Sequence, residues 1–272
     1  MAESVTPRLV ATDLDGTILR TDGTVSARTV AALRDAEARG LTVVLVTGRP
    51  PRWMGPVVEA LGHTGLAVCA NGALVLDLHH GDPGTVVAEQ TIEVAVLTEV
   101  VAALRRVEPT LAFGVEYADG FVHESTYQPG ATAVGPTVPR PVDLDALLSR
   151  PAVKLLAKHP DGDPDVLLQM AREVLGDVVE MTHSSRDGAL LEISAVGVSK
   201  ASALAALCAE RGLGADEVVA FGDMPNDLPM LAWAGTSYAM ANAHRDVLAA
   251  VPRHAPSNDD DGVAVILERF LR

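Results

Sequence analysis

The stretch Leu9-Val-Ala-Thr-Asp-Leu-Asp-Gly-Thr17 constrains this chain more than any other. Leu9 to Ala11 reads as a short buried parallel strand, and it runs into two carboxylates one residue apart, Asp13 and Asp15, followed by Gly16 and Thr17. In open α/β sheets ligands bind outside the carboxyl ends of the strands, so this ending would set the acids at the mouth of a crevice. Two carboxylates about 4 Å apart repel by roughly 4 kcal/mol at an effective dielectric of about 20. A divalent cation or a shared proton would relieve that repulsion. Asp and Gly are also common turn formers, and a plain capped loop is the competing reading.

The 272 residues allow one large or two ordinary domains, and apolar residues at 48% argue against disorder. Aromatic residues make up only 3%, so Val, Leu and Ala must build most of the core. A formal charge of −15 disfavours nonspecific attachment to nucleic acid or to anionic membranes, both of which attract basic surfaces. An anionic small molecule would then need local cations or a metal. Cys69 and Cys208 lie far apart in apolar stretches without CxxC spacing, which reads as two reduced core thiols of a cytosolic protein. Arg8 and Asp13 interrupt the place where a secretory signal would need an apolar run, and no segment reaches the roughly 18 apolar residues of a membrane span. A soluble, cytoplasmic protein is expected.

Ser26 can cap a helix that Gly40 stops, and Thr42 to Val46 is a β-branched run ending at Thr47-Gly-Arg-Pro50. Strand, helix, strand makes a βαβ unit whose strand ends share one sheet edge, so Thr47 is expected near Asp13. A third strand over Leu66 to Ala70 meets Asn71-Gly72, a hairpin signal leading into Ala73 to Asp77. The texture then changes. Val94 to Val107 is an amphipathic helix, and Leu111 to Glu116, Phe121 to Glu124, Val153 to His159 and Val178 to Thr182 read as strands among Gly- and Pro-rich loops. Gln128 to Pro141 carries four prolines, too many for a helix or a central strand, and Asp163-Pro164 opens a helix. The strand and helix alternation returns with Leu190 to Ile193, Gly197-Val-Ser-Lys200, and a short strand Val218 to Phe221 that ends in Gly222-Asp-Met-Pro-Asn-Asp227. Ser237 to Met240, the polar Ser257 to Gly262 and a closing helix from Val263 complete the chain.

Asp13 and Asp15, Thr47, Lys200, and Asp223 with Asn226 and Asp227 thus lie at candidate strand ends. Phosphoryl transfer uses all of them, because it needs a nucleophile, neutralisation of the phosphoryl oxygens and control of protons. Mg²⁺ binds through a few carboxylates plus water and substrate oxygens, which suits Asp13, Asp223 and a backbone carbonyl.

Asp13-Leu-Asp-Gly-Thr17, Val46-Thr-Gly-Arg49, Asn71-Gly-Ala73, Gly197-Val-Ser-Lys200, Gly222-Asp-Met-Pro-Asn-Asp227 and Ser257-Asn-Asp-Asp-Asp-Gly-Val263 resemble, in order, the motifs of the haloacid dehalogenase-like hydrolases. Within them the chain is similar to the Cof-type phosphatases. The resemblance implies an α/β fold, with a Rossmann-like parallel-sheet core over 1–86 and 187–272 and an inserted α+β cap domain over 87–186. It implies that Asp13 is the nucleophile forming an aspartyl-phosphate, and that Asp15 is the acid and base. Thr47 would bind a phosphoryl oxygen, and Lys200 would neutralise the phosphoryl group and Asp13. Asp223 would ligate Mg²⁺ directly, with Asp13 and the backbone carbonyl of Asp15. Asp227 would act in the ligand shell or just behind it, and Asn226 would bond to the phosphoryl group or the nucleophile. Gly16 and Gly48 would let the backbone approach phosphate, and Arg49 and Asn71 are candidates to reach substrate. Ala201 stands where a glycine is frequent in the family, a small departure. Small phosphorylated metabolites, sugar phosphates among them, are the implied substrates.

In the cap, His123, Glu124, Lys154, His183 and Arg186 are polar, and a solvated surface role is the expectation for each. Gly197-Val-Ser-Lys-Ala201 lacks the second glycine of a serine-hydrolase elbow, and neither GxxxxGK[ST] nor GxGxxG follows a strand. A phosphomutase on the same fold and a noncatalytic sugar-phosphate sensor are the alternatives to a phosphatase.

Overall fold

The protein is described by a computed structural model covering residues 7–79, 84–129, 141–184 and 188–271. Arg186 and residues 130–140 of the proline-rich stretch lie outside the described residues. Strand β1 (Leu9–Thr12) is wholly buried, and the loop after it leads to α1 (Ala27–Ala38), whose Ser26 side chain accepts from the Thr29 N–H. Next come β2 (Thr42–Val46), α2 (Gly55–Leu61), and the antiparallel hairpin β3 (Leu66–Cys69) and β4 (Leu74–Asp77). Asn71 and Gly72 make the hairpin's turn with φ of 59° and 105°, the left-handed conformation that this residue pair tolerates. Strand β5 (Thr85–Glu89) adds to β4.

The chain then builds a second layer. Helix α3 (Val94–Val107) precedes β6 (Ala112–Tyr117), β7 (Gly120–His123), the short α4 (Leu144–Leu147) and β8 (Lys154–His159). Helix α5 (Pro164–Leu175), capped by Asp163, is followed by β9 (Val179–Thr182) and β10 (Ala189–Ala195). After it α6 (Lys200–Glu210), β11 (Val218–Gly222), α7 (Leu228–Trp233), β12 (Thr236–Met240), α8 (Arg245–Ala250), β13 (His254–Ala255) and α9 (Gly262–Phe270) return to the first sheet.

The first sheet runs β13-β12-β11-β1-β2-β3-β4-β5, parallel from β13 to β3 and antiparallel beyond. Its central strands β11, β1, β2 and β3 are buried and almost wholly apolar, because both faces are covered. Val10, Val43, Leu45 and Ala67 pack on the side of Leu33, Val57 and Ile266, whereas Leu9, Ala11, Val44 and Val68 pack with Leu204, Leu207, Leu231 and Val247. This is the expected α/β fold. No helix among the described residues is long and apolar enough to cross a membrane.

The second sheet, β7-β6-β8-β10-β9, is antiparallel and has two unlike faces. Phe113, Val115, Leu155, Leu191 and Ile193 pack against Leu97, Leu104, Leu167 and Ala171 of α3 and α5. The alternate positions carry Glu116, Lys154 and Glu192. Leu190 to Ile193 reads from its sequence as a strand of the parallel core, yet β10 pairs with β8 and β9 through Ala195 and lies in the second sheet. Strand β5 stays on the first sheet to Glu89. An apolar run is compatible with a strand in either sheet, and only the pairing partners decide.

Candidate active site

The parallel strands end in loops that converge on one crevice. Thr12 of β1 lies opposite Phe221 of β11 and Leu45 of β2, so Asp13, Gly222 and Thr47 follow at one edge. The Asp13 N–H donates to the Phe221 carbonyl at 3.0 Å, which docks the acidic loop on β11. Asp13, Asp223 and Asp227 each offer a carboxylate oxygen, all within 4.8 Å of one another, and all three residues are buried.

Lys200 holds this group together. It occupies the first turn of α6, where Ser199 accepts from the Ser202 N–H while the Ser202 hydroxyl accepts from the Ser199 N–H. That reciprocal cap fixes a cation at a helix end whose dipole opposes it. The Lys200 Nζ donates to Asp13 Oδ1 and to Asp227 Oδ1, each at 2.6 Å, and the residue is 1% exposed. Burial alone would lower its pKa, but the charges of Asp13 and Asp227 hold it above the ordinary lysine value. Burial raises the Asp13 carboxyl well above the usual carboxylate range; Lys200 opposes that rise, and Asp227, Asp223 and Asp15 add to it.

Asp227 has both oxygens engaged, since its Oδ2 accepts the backbone N–H groups of Asp223 at 2.9 Å and Met224 at 3.0 Å. It therefore shapes the loop bearing Asp223. Gly16 is required for close approach: its φ is +75°, and a Cβ there would lie 2.3 Å from Asp223 Oδ2. Gly16→Ala is expected to displace the Asp223 carboxylate by about an ångström and lower kcat about 100-fold. Steady-state kinetics together with a thermal melt checks this; unchanged kcat would show that Asp223 does not need its present position. The Gly16 carbonyl accepts from Asn242 Nδ2 at 2.8 Å, and Asn258 braces both Asn242 and the Leu19 carbonyl. Nothing in the local sequence marks Asn242 or Asn258 as supports, because both act on a loop more than 200 residues away.

The remaining candidates fall into two sets. Asp15 is not one of the three clustered carboxylates and forms a two-point ion pair with Arg49, Nε to Oδ2 at 2.7 Å and Nη2 to Oδ1 at 2.5 Å. Arg49 thus reaches Asp15, and the Asp15 side chain remains 58% exposed. The buried Thr47 hydroxyl accepts from the Arg49 N–H at 3.0 Å. Asn226 Nδ2 donates to Asn71 Oδ1 at 3.1 Å, and Asn71 Nδ2 donates to Glu192 Oε2 at 3.0 Å. Gly48 lies among these amides, where a Cβ would sit 3.0 Å from Asn71 Oδ1, and its carbonyl accepts from Lys154 Nζ at 2.8 Å.

The polar face of the second sheet therefore covers the crevice. Glu192 is paired with Lys154 and with the Ser184 hydroxyl, and Arg52 from the first layer is paired with Glu116. Burial works to raise the Glu192 pKa, but Lys154, the Ser184 hydroxyl and Lys200 hold it below the glutamate range. The surface expectation fails for Lys154, His183 and His123, all buried, and Glu124 is held by the Phe113 N–H and Arg105. A polar strand face meets water only if nothing covers it, and here the first sheet's edge does. Glu192 itself was missed, although a lone acid inside Leu190-Leu-Glu-Ile-Ser194 was the same kind of signal as Asp13.

Comparison with known proteins agrees with this architecture. The chain is 28% identical to a 5-amino-6-(5-phospho-D-ribitylamino)uracil phosphatase of Bacillus subtilis, over 97% of this chain and 98% of that one. It is 30% identical to a pyridoxal phosphate phosphatase of Escherichia coli, over 98% of this chain and the whole of the relative. The solved structure of a haloacid dehalogenase-like hydrolase from B. subtilis superposes with a TM-score of 0.81 at 23% identity, covering 96% of this chain and 99% of that one, which shows the shared fold. The sequence pattern of the haloacid dehalogenase-like hydrolases matches residues 10–267, nearly the full length. The chain belongs to the haloacid dehalogenase-like hydrolases.

Proposed function

We propose that this chain, a phosphatase of that family, is a Mg²⁺-dependent cytoplasmic enzyme that hydrolyses small phosphorylated metabolites through an aspartyl-phosphate on Asp13. The observation that carries the reading is the buried Lys200 joining Asp13 to Asp227, with Asp223 close enough to share a cation. The donor set is all oxygen, as a hard divalent ion requires. Asp13 and Asp223 would hold Mg²⁺, whereas Asp227, with both oxygens engaged, would act from just behind them. Bound there, the ion would supply charge neutralisation for a phosphoryl group and for the crowded carboxylates.

In this reading the Asp13 carboxylate attacks phosphorus, the bond to the leaving oxygen breaks, and Asp15 gives that oxygen a proton. Asp15 then takes a proton from the water that cleaves the acyl phosphate. The exposed position of Asp15 supports that role, and Arg49 keeps the carboxylate oriented. Thr47 and Asn226, with the Gly16 and Gly48 backbones, would surround the phosphoryl oxygens. Lys200, together with the cation, would favour the ionised Asp13 and offset the charge of its adduct. We assign the second layer, from about residue 90 to about residue 196, as the cap that selects the leaving group. The buried, unpaired Cys69 and Cys208 support a reducing compartment.

Relatives named for phosphoribitylaminouracil and pyridoxal phosphate support small phosphorylated metabolites as the substrate class. Sugar phosphates belong beside them in a test panel. Phosphate release from this panel is expected with Mg²⁺ present, to vanish with chelator and to return with added Mg²⁺. Saturable binding of a phosphate ester with no release would instead mark a sensor, and transfer of phosphate to a second sugar would mark a mutase.

A further inference from the structure

Away from the carboxylate crevice, two imidazoles and a carboxylate converge where the second layer meets the first. Asp165 lies in the first turn of α5, His183 follows β9, and His244 precedes α8; each offers a ligand atom, and all three atoms lie within 4.8 Å of one another. His183 Nε2 is 2.9 Å from Asp165 Oδ1, and His244 Nε2 is 3.5 Å from Asp165 Oδ2. The two rings meet edge to face with centroids 5.7 Å apart. His183 is 1% exposed, and its Nδ1 is buried without a hydrogen-bond partner. A buried ring nitrogen with nothing to bond calls for an explanation, because such groups are rare.

We propose that Asp165, His183 and His244 form a second divalent-cation site, of the zinc class, bridging the cap layer to the start of α8. Two imidazoles and one carboxylate suit a borderline ion, whereas the all-oxygen set of Asp13, Asp223 and Asp227 suits a hard one. The two centres therefore sort ions by ligand chemistry. Three protein ligands leave a fourth position open to water. His244 Nδ1 accepts from the Asp246 N–H at 3.3 Å, a helix cap that fixes the ring with Nε2 on the Asp165 side. Arg245 Nη2 holds Asp165 Oδ2 at 2.8 Å, but its side chain is 76% exposed and can withdraw into water when an ion takes its place. The site also bears on the catalytic loop, because the His244 N–H donates to the Asp223 carbonyl at 2.7 Å. An ion gripping His244 would brace the peptide that carries Asp223.

The test is a titration of the full-length, metal-stripped protein with Co²⁺ in excess Mg²⁺, which fills the all-oxygen centre. One equivalent of Co²⁺ should develop the visible absorption of a nitrogen-ligated, low-coordinate ion and be displaced by Zn²⁺. Losing even the partner behind a ligating histidine weakens metal sites about 10- to 100-fold, so His244→Gln, which removes a ligand, should raise the Co²⁺ Kd at least about 100-fold. Asp223→Asn should leave both the absorption and the Kd unchanged. His183→Gln should behave like His244→Gln; because His183 is the more buried, the His244 variant decides if the other fails to fold. No such absorption in the wild-type chain, an unchanged Kd in His244→Gln, or loss of the absorption in Asp223→Asn but not in His244→Gln would overturn the site.

Discussion

Replacing Asp13 by Asn is expected to lower kcat by about 10⁴-fold or more while leaving the protein folded, in line with the loss seen when a covalent nucleophile is removed. The amide is nearly isosteric, and its oxygen can still accept from Lys200 Nζ, which keeps its second bond to Asp227 Oδ1 at 2.6 Å. What disappears is a nucleophile and a negative charge. Burial and three neighbouring carboxylates push the Asp13 pKa up, against Lys200, so the ionised side chain is destabilising in the metal-free fold. In the unfolded chain the group ionises near the ordinary aspartate value, so its contribution to stability is full below that pH. It is lost as pH rises toward the higher folded value. Asp13→Asn removes this dependence. The metal-free variant should therefore melt no lower than the wild type near neutral pH, and the stabilisation gained from Mg²⁺ should shrink. Kinetics and thermal melts with and without Mg²⁺ check both halves. Retention of more than a tenth of the wild-type kcat would exclude Asp13 as the covalent centre.

The second large effect is expected at Lys200, through stability as well as rate. Lys200→Met fills a similar volume and keeps the Ser199 and Ser202 cap of α6, but it leaves Asp13 and Asp227 buried without their common cation. Removing one partner of a buried ion pair costs about 3–5 kcal/mol, which corresponds to a fall in Tm of roughly 6–20 °C for a chain of this size. Loss of a preorganised positive charge at the reacting group should also lower kcat by about 10²–10³-fold. Adding Asp227→Asn to Lys200→Met separates the two effects: stability should recover in part because one uncompensated charge is gone, while kcat stays low. Recovery of both together would mean that Lys200 acts only as a structural counter-ion.

Local sequence made much of this architecture legible. The strands β1 and β2, the Ser26 and Asp163 caps and the Asn71-Gly72 turn each depend on neighbours a few residues away, and they fall at or within a residue or two of where spacing places them. The acids at strand ends were conspicuous for the same reason, since Asp13 and Asp223 interrupt apolar runs that had no local need of them. Their parallel strands had then to bring them to one edge.

Pairing across the sheets was not legible. Glu192 and Leu191 are neighbours in one strand, and the chain alone cannot say that β10 pairs with β8, nor that Glu192 faces Asn71 while Leu191 faces α5. Nor could it say that Arg49 grips Asp15, that both Asp227 oxygens are engaged, or that His183 and His244 meet over Asp165. Apart from the Asp227 Oδ2 bonds within its own loop, these contacts join residues well separated in the chain, and their energy depends on distance and burial, which periodicity does not encode. The sequence by itself determined the alternation of elements and the chemistry available at each strand end. Only the tertiary structure decided which polar groups meet, because a side chain's partner is chosen by the layer packed over it.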